Sequence, residues 1–386
     1  MEGSRSILKD NLTHLHCATF RMTSNSLLIN LSFLLSEPTG ISVYASQVFP
    51  YLAALNPTLL TAQTYPNFRC YPVPNDLTPA QGSKGHLKRL IWTQTQLPKI
   101  YRQLKADLLF SPVPEMPLGA GCRTVMMVHD LIPLRFPRVT SPLTHYFRFY
   151  LPWLLPSATH ILCNSQATAN DLMTRFNLPA QKITPILLGY NHHHFYPRSD
   201  GAKLSQNPYF LYLGRHDPHK NLGRLITAFA HFHQLHPHPD YELWLAGPGD
   251  RRYTPQLQHQ AKELGIADQI RWLDYVPYDQ LPHLYSQALA LVFPSLWEGF
   301  GFPVLEAIAC GTPVITSQLS SLPEVAGEAA LYVNPYEVKE LTQAMQTLSQ
   351  DSILQKELGQ KGLARAQQLT WERTGQSTLA VLQSLL

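Results

Sequence analysis

The chain has 386 residues, 45% of them hydrophobic and 15% charged, a balance that suits a globular protein with a sizeable core and argues against a disordered or fibrous one. The net charge of +4 is unevenly spread: residues 1–200 carry 17 Lys+Arg against 9 Asp+Glu, and residues 201–386 carry 13 against 17. The basic first half suits an anionic partner, but without an arginine-rich run or a nucleic-acid motif, nucleic acid is set aside in favour of a membrane surface or a phosphorylated substrate.

In chain order, residues 1–24 show neither the helical nor the strand period and read as a disordered extension, with Met22 an alternative start. They lack the apolar stretch of a signal peptide. A strand is expected over Leu27–Leu35. It breaks at Glu37-Pro38-Thr39-Gly40 and gives way to a helical pattern that Pro50 must bend or shorten. Short apolar runs at 107–111, 124–130, 160–165 and 183–189 read as buried strands, with helices near 86–104, 141–154 and 166–176. Residues 197–208 (PRSDGAKLSQNP) are polar and aperiodic, as a linker would be. Beyond them YFLYLG, YELWLAG, QIRWLDYV, LALVFPS and TPVITS alternate with helical segments. Such alternation predicts parallel sheets covered on both faces, here two doubly wound α/β domains at 25–200 and 201–370. No run reaches the roughly 18 apolar residues that span a bilayer. The five cysteines are odd in number and contain no CxxC pair, so the reading is a cytoplasmic protein without a disulfide framework.

The chemistry gathers in PSLWEGFGFPVLEAIACGTPVI, residues 294–315. Pro303 suits the first position of a helix and Gly311 its C-terminal cap, which places Glu306 in the first turn. Glu298 precedes Gly299, Phe300 and Gly301, whose backbone amides suit an anion or a sugar hydroxyl. In YLGRHDPHKNLGRL, a strand ends at Gly214 and the cations Arg215 and Lys220 follow beside a helix start, a pattern suited to a diphosphate. Gly40 lies between the first strand and its helix. His129 ends a buried strand, which in an α/β domain is the ligand-binding rim. Each feature alone also fits an ordinary turn or cap. Ser321 and Glu324 read as a structural capping box. The HHH run at 192–194 is not read as a metal site, and 145–153 (HYFRFYLPW) reads as a core helix with Arg148 outward.

Together these segments resemble a family-four retaining glycosyltransferase of the GT-B fold. The resemblance rests on GRHDPHKNL, LAGPGD, Glu298-x7-Glu306, SSLPEVAGEAALYVNP and VHDLIP; it covers about 27–386 and is strongest over 209–335. It implies that Glu306 binds the donor ribose and that Glu298, with the amides of Phe300 and Gly301, contacts the donor sugar. Arg215 and Lys220 would clamp the diphosphate, Gly40 would let the first domain close over it, and His129 would touch the sugar near its reacting face. Base choice would fall to backbone groups near Val276. The resemblance further implies retention at the anomeric carbon without a metal or other cofactor, and a final helix at 371–386 that crosses back onto the first domain. VHDLIPLRFP and SLPEVAGEAA look most like bacterial mannosyltransferases of surface polysaccharides. The expected donor is therefore GDP-mannose, with UDP-sugars open, and the expected acceptor a glycan or lipid-linked sugar, with peripheral membrane contact through the basic first domain. An epimerase, a phosphorylase and a catalytically silent scaffold are the alternatives. The retaining motif argues against an epimerase, the cofactor-lysine setting of a phosphorylase is not found, and intact Arg215, Lys220, Glu298 and Glu306 argue against the scaffold.

Overall fold

A computed structural model describes residues 26–34, 40–235 and 241–386. The proposed extension at 1–24, Met22, and the Pro38-Thr39 part of the first loop lie outside the described residues.

Two parallel sheets carry the fold. The first holds β1 (Leu27–Asn30), β2 (Thr58–Thr61), β3 (Arg69–Pro72), β4 (Leu108–Ser111), β5 (Thr124–Val128), β6 (His160–Cys163) and β7 (Ile183–Pro185). Its order is β3-β2-β1-β4-β5-β6-β7. The second holds β8 (Tyr209–Leu213), β9 (Glu242–Ala246), β10 (Ile270–Leu273), β11 (Ala290–Phe293), β12 (Val314–Ser317) and β13 (Ala330–Val333), in the order β10-β9-β8-β11-β12-β13. The central strands are buried along their whole length, as sheets covered by helices on both faces require. Strand order reverses between β1 and β4 and again between β8 and β11. Crevices at such reversals, beyond the strands' carboxyl ends, are where open α/β sheets bind ligands.

Several boundaries differ from expectation. The first strand ends at Asn30, and β2, β3 and β13 were not anticipated. The first helix runs Gly40–Val48 and tightens into a 3-10 segment at Phe49–Leu55, because Pro50 removes a backbone donor. The expected helix at 141–154 is three pieces, Pro142–His145, a π-turn at Tyr146–Tyr150, and Leu151–Ser157. Nor is it a core helix with one outward arginine. Phe147 and Leu151 are buried, but Phe149 is 61% and Trp153 70% exposed.

The helix Trp371–Leu385 lies on Gly40–Val48 and the turn after it. Thr374 donates its hydroxyl to the Leu187 carbonyl at 2.8 Å. No helix among the described residues is long and apolar enough to cross a membrane.

Candidate active site

The loop after β8 carries the two expected cations, but they have different surroundings. Lys220 is largely buried and its Nζ lies 2.6 Å from Oε1 of Glu298. Arg215 is 63% exposed and its Nε reaches Asp217 at 3.2 Å. Asp217 also accepts from Arg138 of the first domain. Burial acts to raise the Asp217 pKa, but the Arg138 bond and the two guanidinium charges outweigh it and hold the carboxyl below its ordinary value. The loop itself needs Gly214. Its φ is +153°, and a β-carbon there would meet the Tyr212 hydroxyl at 2.7 Å.

The loop after β11 carries Glu298, which is 7% exposed. Its amide donates to the Ser320 hydroxyl at 3.1 Å. The amides of Gly299, Phe300 and Gly301 donate to no protein group among the described residues. Gly301, at φ +111°, is the N-cap of the helix Phe302–Ala309. Pro303 is therefore its second residue, not its first. Glu306 falls in the second turn, a correction to its expected place in the first.

Glu306 is half-buried, and Tyr285 donates its hydroxyl to Oε2 at 2.8 Å. Loss of water raises its pKa from 4.5 to about 7, against the smaller lowering effect of that bond. Gly311 follows the helix at φ +74°, as a left-handed cap residue does. Val276 is half-buried on the loop after β10, and its amide has no partner among the described residues.

The first domain meets this loop directly. His129, just beyond β5, donates Nε2–H to the Pro112 carbonyl at 3.0 Å and packs edge-on against Tyr44. Burial lowers its pKa to about 4, so the ring is neutral at pH 7 and its Nδ1 is an acceptor. A β-carbon on Gly299 would lie 2.3 Å from the His129 carbonyl oxygen. Glycine at 299 therefore serves close domain contact as well as any ligand. Gly40 opens its helix with nothing among the described residues near its β-carbon direction.

Asp130, which shares the strand end with His129, belongs to the same cluster. Burial, and after it the charge of Glu298, raise its pKa, while its bond to the Ile132 amide and Lys220 act the other way. The capping box at Ser321 and Glu324 does not form. Ser321 donates to the Phe300 carbonyl at 2.7 Å and lies 3.1 Å from that of Glu298, so its hydroxyl supports the loop instead. Glu324 turns away to the first domain. Among the described residues no group of three His, Cys, Asp or Glu side chains is placed to hold a metal. His194 instead stacks on Tyr278 and donates to its carbonyl.

Two switch-point crevices meet here. One carries a lysine-held carboxylate and unpartnered amides, the other a neutral histidine. Across 94% of this chain the backbone matches sucrose-phosphate synthase from Thermosynechococcus elongatus, covering 99% of that chain at TM-score 0.73 and 20% identity. It also matches WaaG, a glycosyltransferase involved in lipopolysaccharide biosynthesis, across 92% of this chain and 99% of that one at TM-score 0.68 and 15% identity. The fold is thus the GT-B fold. The model of Glycosyltransferase Family 4 matches residues 38–194, and that of Glycosyl transferases group 1 matches residues 198–365. The chain is 33% identical to O-antigen chain mannosyltransferase B of Escherichia coli, over 67% of this chain and 69% of that protein. It is also 33% identical to O-antigen chain mannosyltransferase RfbU of Salmonella typhimurium, over 58% and 60%. The chain belongs to the family-four glycosyltransferases.

Proposed function

We propose that this protein transfers mannose from GDP-mannose to a glycan or lipid-linked acceptor in surface-polysaccharide or glycolipid synthesis. The observation that carries the reading is the loop 298–301, with its buried carboxylate on Lys220 and three unpartnered amides at the switch point of the second sheet. Mannose is supported by the two O-antigen chain mannosyltransferases to which the chain is 33% identical.

In this reading the bond from the anomeric carbon to the diphosphate breaks as negative charge builds on the leaving oxygen. Arg215, Lys220 and the helix N-terminus beside them stabilise that charge. The acceptor hydroxyl attacks from the same face and gives its proton to the departing phosphate, so configuration is retained. No side-chain nucleophile, metal or other cofactor enters. Glu306 takes the ribose hydroxyls, and Glu298 and the amides of Phe300 and Gly301 take the sugar. Gly214 and Gly299 keep the backbone close, His129 offers Nδ1 to a sugar hydroxyl, Gly40 borders the diphosphate, and the base lies near Val276. The exposed Phe149 and Trp153 beside Arg148 support an acceptor presented at a lipid surface.

The test is a thermal-shift series with GDP, UDP, ADP and their sugar derivatives in EDTA, followed by NMR of the product anomer. A ligand bound only by the folded state raises Tm. A shift with GDP and GDP-mannose that Glu306→Ala abolishes supports the reading. A UDP-only shift replaces the donor and keeps the chemistry. No shift with any nucleotide favours a silent scaffold, and inverted product refutes the same-face route.

A further inference from the structure

Glu324 sits on the short helix Leu322–Ala326, whose N-cap, Ser321, supports the loop 298–301. Its two carboxylate oxygens cross to the first domain. Oε2 accepts from the Gln166 amide at 2.6 Å and Oε1 from the Ala167 amide at 2.7 Å. Those amides open the helix Gln166–Phe176, which the first domain caps for itself only at Thr168, through Ser165. Two of that helix's orphan donors are thus satisfied by the other domain.

Three further contacts tie the arrangement to the site. Ser165 donates its hydroxyl to the Gly299 carbonyl at 2.8 Å, inside the loop expected to hold the sugar. Leu322 packs where a Gly301 β-carbon would stand, at 2.7 Å. Arg365 fixes the short helix from behind, donating to the Glu324 and Val325 carbonyls at 2.5 and 3.0 Å. The short helix therefore holds the loop with Ser321 and the opposite domain with Glu324.

We infer that Glu324 is a positioning residue for the transfer reaction: its carboxylate latches the two domains closed and sets the loop 298–301 against His129. This rests on the proposed function only for its kinetic consequence. A negative charge on a helix N-terminus is favourable through the helix dipole and through the bonded amides. Separating the domains would leave both amides and the carboxylate to water, so removing the carboxylate shifts the balance toward open forms.

The experiment compares full-length Glu324→Ala, Glu324→Gln and wild type. Small-angle scattering should show a larger radius of gyration for Glu324→Ala. Hydrogen exchange should accelerate at the amides of Gln166 and Ala167 and at that of Glu298, which donates to Ser320. With an active donor, kcat/KM should fall about tenfold to thirtyfold, the upper figure being the equivalent of ~2 kcal/mol for such a charge. GDP or UDP affinity by calorimetry should fall less than kcat/KM does, since most of the expected nucleotide contacts belong to the second domain. Glu324→Gln, keeping one acceptor oxygen, should fall between, and it gives the same readouts if the alanine variant does not fold. Unchanged scattering and exchange in the variants would overturn the latch. Absence of transfer by the wild type with every nucleotide-sugar would refute the proposed activity instead, while scattering and exchange still decide the latch.

Discussion

Glu306 carries the sharpest consequence at the scale of single residues. Its folded-state pKa, about 7, lies above the ordinary 4.5, so between those values the native protein holds a proton that the unfolded chain has lost. Stability from this group is complete below about pH 4.5 and is lost as pH rises to about 7. Glu306→Gln cannot ionise, so it should be more stable than wild type at pH 8, by about 1–3 kcal/mol for a half-buried carboxyl, and equal to it near pH 4.5. Urea unfolding at the two pH values measures this; an equal difference at both would dismiss the shifted titration. If the carboxylate is what binds ribose, nucleotide affinity should weaken as pH falls through about 7.

Lys220 makes a second case. Its partner Glu298 is buried beside Asp130, so Lys220→Met leaves two carboxylates with no cation in contact. Breaking a buried pair from one side costs about 3 kcal/mol. Adding Glu298→Gln to that variant should restore more than half, because the uncompensated charge is removed. A double-mutant cycle by chemical denaturation reads the coupling directly, and simple additivity would mean that the pair contributes nothing. Arg215 and Glu298 were legible in the sequence because each stands beside a glycine in a loop after a strand, and Lys220 and Glu306 because each falls close after such a loop, near or inside the helix that follows it. Ser165 and Glu324 were not, since their meaning comes from contacts across the cleft. Ser165 meets Gly299 over a separation of 134 residues, and Glu324 meets Ala167 over 157.

At the scale of elements, the sequence showed ten of the thirteen strands among the described residues and missed β2, β3 and β13, of which β3 and β13 lie at sheet edges. Buried strands read as continuous apolar runs, whereas β3 is Arg-Cys-Tyr-Pro and mostly exposed or half-buried. A proline closing an edge strand costs no ladder bond, but it hides the strand from a reader of periods. The loop 298–301 was legible as a glycine loop, yet one of its glycines serves another purpose. A methyl on Gly299 would lie 2.3 Å from the His129 carbonyl and 2.8 Å from the Asp130 β-carbon, so backbone on one domain or the other must shift. Overpacking of this kind costs about 1–3 kcal/mol. Here the two domains can separate instead, which relieves the clash without unfolding either. Gly299→Ala should therefore lower kcat at least tenfold while moving the unfolding midpoint little. Steady-state kinetics beside a denaturation curve separates the outcomes, and a large stability loss with normal turnover would contradict it.

At the scale of the whole molecule, the last helix decides whether the first domain has a complete core. Trp371–Leu385 follows the second domain in sequence but covers the first, over Gly40–Val48 and Phe49–Leu55. Its contacts are close. A β-carbon on Gly375 would meet the Tyr51 ring at 2.4 Å, Leu382 is fully buried, and Arg123 donates to the Leu385 carbonyl at 2.6 Å. Tyr44 lies beneath it, near Thr378, and also packs on His129, so the helix supports the site through one intervening ring. A chain ending at Thr370 would expose the apolar face of Gly40–Val48, including Tyr44 and Val48, each at most 1% exposed in the intact protein. Hydrogen exchange of that shortened chain should show the protection of β1 and β2 falling by orders of magnitude, with β8, β9 and β11 protected as before. Gly375→Leu should produce a weaker form of the same pattern, because it wedges the helix off Tyr51 without deleting it. Uniform loss of protection across both sheets would show instead that the two domains unfold as one cooperative unit, with the helix as part of a shared core.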